Sequence, residues 1–186
     1  KSEETSLMAS LTRSILFTAC LVAATTAQSP SSSQLVPFKR LFSSTDDINF
    51  FTTSDAEAAS MNAAGYAPVT PGMGSAVKLE EIDAVRVACP NVSFAPLKRV
   101  AFDTTPVAYR VMTPFGEEPP PPPLLGYGTF IAECGATLAI LEYQRFTWGV
   151  VTIDFIYVVA NSPLHDAVAA DSRYIFMDTA FYLWST

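Results

Sequence analysis

The stretch that most constrains this chain runs from Pro37 to Tyr66, P-F-K-R-L-F-S-S-T-D-D-I-N-F-F-T-T-S-D-A-E-A-A-S-M-N-A-A-G-Y. A blurred version of it returns after Pro96 and a fainter one after Ile140. A chain built of copies cannot choose its elements independently, because what one copy forms must pack against the others. In the first copy Leu35 to Phe42 reads as a strand, Ser43 to Asp47 as a turn, and Ile48 to Thr53 as a second strand rich in aromatic and β-branched residues. Ser54 is placed to cap a helix over Ala56 to Ala64, with Glu57 three residues on as the capping-box partner. Gly65 then supplies the left-handed residue that ends the helix.

The second copy keeps the strands and loses the helix. Pro96-Leu97-Lys98-Arg99 matches Pro37-Phe38-Lys39-Arg40, Phe50 and Tyr109 each lie 13 residues after their proline, and Gly65-Tyr66 returns as Gly126-Tyr127. Between them stands Pro119 to Pro123, which removes amide donors and favours polyproline II, so the helix is dispensable to the copy. In the third copy Ile140 to Tyr143 and Val151 to Val159 are the strands, Ala167 to Ala170 is a helix remnant, and Arg173-Tyr174 is the close. The stretch from Ile175 to Trp184 reads as a strand pair turning at Met177-Asp178. Three copies of short strands point to a mostly β domain with a β-trefoil-like arrangement, the alternative being an irregular β-sandwich. Phe38, Phe50, Leu97, Tyr109, Leu141 and Phe155 are the expected shared core. The copies span about 35–94, 95–138 and 139–186, in one domain over 35–186.

The N-terminal part carries a targeting signal. Met8 opens a segment in which Arg13 is the basic region, Ile15 to Ala24 the apolar core, and Thr25-Thr26-Ala27 the cleavage site, so 8–27 reads as a secretory signal peptide. Its apolar run is half the roughly 20 residues needed to span a bilayer, and no membrane span is expected in the mature chain. Residues 1–7 read as upstream sequence, and 28–34 (Q-S-P-S-S-S-Q) as a flexible tail. The formal net charge of -7 with singly scattered basic residues lacks the footprint of a phosphate-backbone binder, so nucleic acid is not an expected partner. Three cysteines become two once Cys20 leaves, and an even pair in a secreted chain points to a Cys89–Cys134 disulfide, the other reading being two buried thiols. Asn91-Val92-Ser93 is a glycosylation acceptor.

Asp47-Ile48-Asn49-Phe50-Phe51-Thr52-Thr53, followed by Glu57 and Gly65-Tyr66, resembles the repeat of the DUF5648 family of secreted proteins. That repeat has an Asp-His-Phe-Tyr-Thr core, a downstream Glu, and a Gly-Tyr leading into a strand pair with a glycine turn. Tyr174 to Tyr182 resembles its closing part. The chain departs from the core at the histidine, which is Asn49 here. The resemblance implies a non-catalytic secreted module in contact with carbohydrate or cell-wall polymer.

Catalysis finds little support in the residues. The acidic pairs Asp46-Asp47, Glu80-Glu81 and Glu117-Glu118 could serve glycoside hydrolysis, but each lies in a polar, turn-like stretch where solvated charge is the ordinary outcome. His165 is the single histidine, which leaves no set for a multi-histidine metal site, and neither Ser162 nor Ser185 has a nucleophile-elbow context. No catalytic residue, metal or cofactor is expected. The ligand-binding candidates are Asp47, Asn49 and Glu57 of the first copy and the recurrent Tyr66, Tyr127 and Tyr174, whose rings would cover a sugar face; Trp148 and Trp184 near strand ends are weighed beside them. For all these rings, packing is the competing role. A secreted structural or effector-like protein acting by protein contact, with Pro119 to Pro123 and the acidic surface as its features, is the other functional reading.

Overall fold

A computed structural model describes residues 28–102, 104, 107–113, 123–146 and 153–185. Residues 8–27, read above as a signal peptide, and Glu117-Glu118, Pro119 to Pro122 and Trp148 lie outside the described residues. The described residues are mostly β, with 47% strand against 22% helix, and their sheets are antiparallel.

The strands are β1 (Leu35–Pro37), β2 (Lys39–Ser43), β3 (Ile48–Thr52), β4 (Ala67–Pro68), β5 (Ser75–Val77), β6 (Phe94–Phe102), β7 (Ala108–Met112), β8 (Leu124–Thr129), β9 (Ala136–Phe146), β10 (Ile153–Val159) and β11 (Tyr174–Trp184). The helices are α1 (Asp55–Ala63), α2 (Ile82–Ala88) and α3 (Pro163–Ala170). One strand order occurs three times, as the triplets β3–β2–β4, β7–β6–β8 and β10–β9–β11. In each the first and second strands pair antiparallel, Arg40 opposite Phe51, Arg99 opposite Val111 and Glu142 opposite Tyr157. Each closing strand then lies on the other side of the first. The first triplet forms its own sheet, whereas the short β5 that follows it in the chain pairs with both β8 and β11, which draws the second and third triplets into one larger sheet.

Among the described residues no barrel is closed. The end strands β7 and β10 of the larger sheet are joined by a side chain, since the Tyr157 hydroxyl on β10 accepts from Val111 N (3.2 Å) and donates to Val111 O (2.9 Å) on β7. Tyr157 is fully buried, edge-on to Phe51 and stacked on Phe181. Around it Phe38, Phe51, Leu97, Ile140, Phe155 and Leu183 form the main core. Of the six expected core residues, Phe38, Phe50, Leu97 and Phe155 are buried, while Tyr109 and Leu141 are half-buried.

Local expectations hold with instructive exceptions. Ser54 caps α1 by accepting from Glu57 N at 3.2 Å, and Gly65 takes φ +95° just after the helix. The capping box stays half made: the Ser54 amide donates to Thr52 Oγ1, which leaves the Glu57 carboxylate free for other partners. Tyr174 to Trp184 forms one continuous strand where a strand pair was expected; the turn-prone Met177 is taken up as a bulge between Phe176 and Asp178 against β9. α2 has no counterpart in the sequence reading. It brings Cys89 to Cys134 at disulfide distance, Cα atoms 6.0 Å apart. The bridge closes a loop of 45 residues, which in the chain-entropy view stabilises by about 4 kcal/mol. The Trp184 indole beside it donates to Cys134 O at 2.8 Å. Among the described residues no helix is long and apolar enough to cross a membrane.

Candidate functional site

Arginine–carboxylate pairs hold each of the three junctions between triplets. Between the first and second, Arg99 on β6 forks onto Glu57 of α1 (Nη2 to Oε1 2.5 Å, Nη1 to Oε2 2.9 Å) and also reaches Phe51 O at 2.7 Å. The hydrogen bonds from Arg99 hold the Glu57 carboxyl below its ordinary range, against the effect of burial. The Arg99 guanidinium lies 4.2 Å over the Phe50 ring, which Tyr66 and Tyr109 flank edge-on. Glu57 is therefore a clasp between the first and second triplets.

The junction between the first and third triplets is sealed. Asp154 on β10 is fully buried and accepts from Asn49 Nδ2 at 2.7 Å, and Asn49 Oδ1 accepts from Arg40 Nε at 2.7 Å. Arg145 on β9 pairs with the Asp47 carboxylate, donates to Asp47 O at 2.8 Å, and lies 5.9 Å from the Tyr174 ring centre. Asp47 reaches this position from a turn at φ +60°. Desolvation dominates here: burial pushes the Asp154 carboxyl up to about 6 despite the Asn49 hydrogen bonds and the nearby Arg145 and Arg40, and it brings Arg40 down to about 10. Arg40 Nη1 and Arg145 Nε are buried with no hydrogen-bond partner among the described residues, so the network is incompletely satisfied there.

The junction between the second and third triplets is open to solvent on one side. Arg110 on β7 forks onto Glu142 of β9, with Nε to Oε1 at 2.7 Å and Nη2 to Oε2 at 3.3 Å, and lies 5.0 Å over the Phe155 ring. This pair lines a pocket of about 430 Å³ whose other walls are Met112, Thr113, Phe130, Asp178 and Thr179. Glu142 and Asp178 sit directly opposite each other in the β9–β11 register, which places two carboxylates on adjacent strands at one cleft. Burial pushes the Glu142 carboxyl up, Arg110 offsets part of that, and Asp178 adds to it. The cleft thus offers carboxylate acceptors, a guanidinium donor, two hydroxyls and one phenyl ring. Among the described residues no cluster of His, Cys, Asp and Glu suits a metal ion.

The expected ligand residues fall into three places. Asp47, Asn49 and Tyr174 belong to the sealed junction, Glu57 and Tyr66 to the Arg99 junction. Tyr127 packs with the α2 cluster, where Arg86 lies 5.8 Å from its ring centre. Tyr66, Tyr127 and Tyr174 are all half-buried, and Trp184 is buried. Of the residues weighed for catalysis, Ser162 caps α3 by accepting from His165 N, and His165 Nδ1 accepts from Asn161 N. Asp46 holds its own turn through Ser43. Asn91 is exposed, at φ +73°, in the turn after α2. The cleft residues Glu142 and Asp178 were not singled out from the sequence. They stand singly in different strands of the third triplet, and only the strand register makes them neighbours. No family model, curated protein or solved structure matches this chain.

Proposed function

We propose that this protein is a secreted, non-catalytic binding module whose ligand is a neutral polyhydroxylated molecule, a glycan or cell-wall polymer, held in the cleft between β7, β9 and β11. The observation that carries this reading is the pocket of about 430 Å³ lined by Arg110, Glu142, Asp178, two threonines and Phe130. Sugar hydroxyls need acceptors and donors fixed in place beside an apolar wall, and pockets of this size suit one or two rings. The Arg110–Glu142 fork occupies both Glu142 oxygens, which supports positioning over proton transfer. The triplets, with one strand order three times over, are read as degenerate copies in a trefoil-like arrangement, in keeping with the DUF5648 resemblance and the secretory signal. The exposed Asn91 is read as a glycosylation site.

The test is a glycan array with the protein, covering cell-wall and host saccharides. The expected result is binding to a defined saccharide that is lost in Asp178→Ala. Absence of binding throughout overturns the reading, and release of reducing ends from a bound saccharide overturns its non-catalytic part.

A further inference from the structure

The residues that follow the cleavage point read at Ala27 are fixed to the fold. Pro30 is buried, and Ser31 N donates to Gln34 Oε1 at 2.9 Å. Lys78 reaches across the segment, its Nζ donating to Ser33 O at 2.5 Å and its amide to Gln34 O at 3.0 Å. Ser29 lies against Gly135, where a Cβ would collide with the Ser29 hydroxyl. The hold extends to Gln28 itself, whose carbonyl oxygen lies 3.4 Å from Cys89 Sγ and 3.6 Å from Cys134 Sγ. Gln28 is exposed, and among the described residues no hydrogen bond engages its side-chain amide.

Cleavage after Ala27 makes Gln28 the N-terminal residue. A terminal glutamine holds a nucleophile and an electrophile in one residue, because its α-amino nitrogen can close a five-membered ring on its own Cδ. An α-amino group titrates near about 7.7–8.0, so part of it is the neutral nucleophile at physiological pH. The attack is intramolecular, which spares the entropy of bringing two reactants together. The N–Cδ bond forms as the Cδ–Nε2 bond breaks, and the amide nitrogen leaves as ammonia with one proton from the amine. Nothing is oxidised or reduced, and no co-reactant is consumed. Here the backbone of residue 28 is held at its carbonyl while the exposed side chain is free to fold back onto the amine. The product is a neutral lactam, so the terminus loses its positive charge.

We propose that Gln28 is a modification site, the N-terminal residue of the secreted chain, cyclised to pyroglutamate. The site exists only once residues 8–27 have been removed, so it rests on the secretory reading. To separate the two, the chain from Met8 is expressed in a secreting eukaryotic cell and recovered from the medium. Its free amines are reductively dimethylated before tryptic digestion, so that a ring closing later cannot pass for one already present. Dimethylation also blocks cleavage at Lys39, and the N-terminal peptide then runs from residue 28 to Arg40. The expected peptide is lighter than its open form by one ammonia, carries no label at its terminus, and gives fragment ions that place the loss at residue 28. A peptide that begins at residue 28 with a labelled amine and an intact side-chain amide overturns the proposal and leaves the secretory reading standing. A secreted chain cut at another residue overturns the proposal as well, and a chain that keeps residues 8–27 overturns the secretory reading with it.

Discussion

The junction at Asp154 and the cleft at Glu142 are built from the same parts and behave as opposites. Each sets an arginine against a carboxylate between two strand triplets. At the first, Asp154 is fully buried, Asn49 supplies its hydrogen bonds, and two guanidinium nitrogens go without partners among the described residues. At the second, the arginine and carboxylate meet through two hydrogen bonds and border a solvent-open pocket beside Asp178. A sealed charge can contribute only to the folded state, and at a cost in desolvation. A charge at a cleft keeps one side available to a ligand. Substitutions should therefore act on stability at the first and on binding at the second.

The largest expected effect is at the sealed junction. Asp154→Ala removes the buried carboxylate that faces Arg40 and Arg145, and should cost about 3–5 kcal/mol in denaturant unfolding. A loss under 1 kcal/mol would remove the distinction between the two junctions. The pH dependence follows from the raised Asp154 carboxyl. Its native value of about 6 lies above its unfolded one, so the native state binds the proton more tightly. The contribution is fully present below the unfolded value, near pH 4, and is lost as pH rises through about 6. A separation of about two units corresponds to about 3 kcal/mol. Asp154→Asn should remove this slope, so that the wild type gains on the variant by that amount between pH 7 and pH 4. Parallel stability curves would show that Asp154 does not titrate there.

Tyr157→Phe comes next. It strands the amide and carbonyl of Val111 between the two end strands and should cost about 1–3 kcal/mol. Glu57→Gln should cost the least, about 1 kcal/mol or below, because the Glu57 side chain is 36% exposed and such pairs are screened. If Glu57→Gln cost more than Tyr157→Phe, the Arg99 junction would be the tighter one.

Much of the architecture was legible in the chain. The pattern around Pro37, Pro96 and Ile140 marks the first strand of each triplet, and the aromatic runs after them mark the second. Ser54 and Gly65 bound the first helix as their chemistry dictates. The Cys89–Cys134 pairing was expected on the reading that Cys20 leaves with a signal peptide, and the two cysteines do meet. The roles of the polar residues were not legible. Asp47, Asn49 and Glu57 stand together in sequence and drew attention as a site, yet Glu57 faces the second triplet through Arg99, while Asp47 and Asn49 face the third through Arg145 and the buried Asp154. Nothing local marks Arg99, Arg145 or Asp154 as their partners. The bulge at Met177 was misread for a related reason: turn-favouring residues inside a strand look like a turn until a long neighbour such as β9 shows where the chain continues. The cleft depends on that same neighbour, since Glu142 and Asp178 meet only through the β9–β11 register.

The most direct test of the contrast is saccharide titration calorimetry on the wild type and on Thr179→Trp, which fills the cleft from its half-buried wall. The account predicts binding by the wild type, at least a tenfold loss in the variant, and a melting temperature changed by no more than a few degrees. Binding that survives Thr179→Trp undiminished would contradict the cleft as the site, and a wild type that binds no saccharide would contradict the functional reading itself.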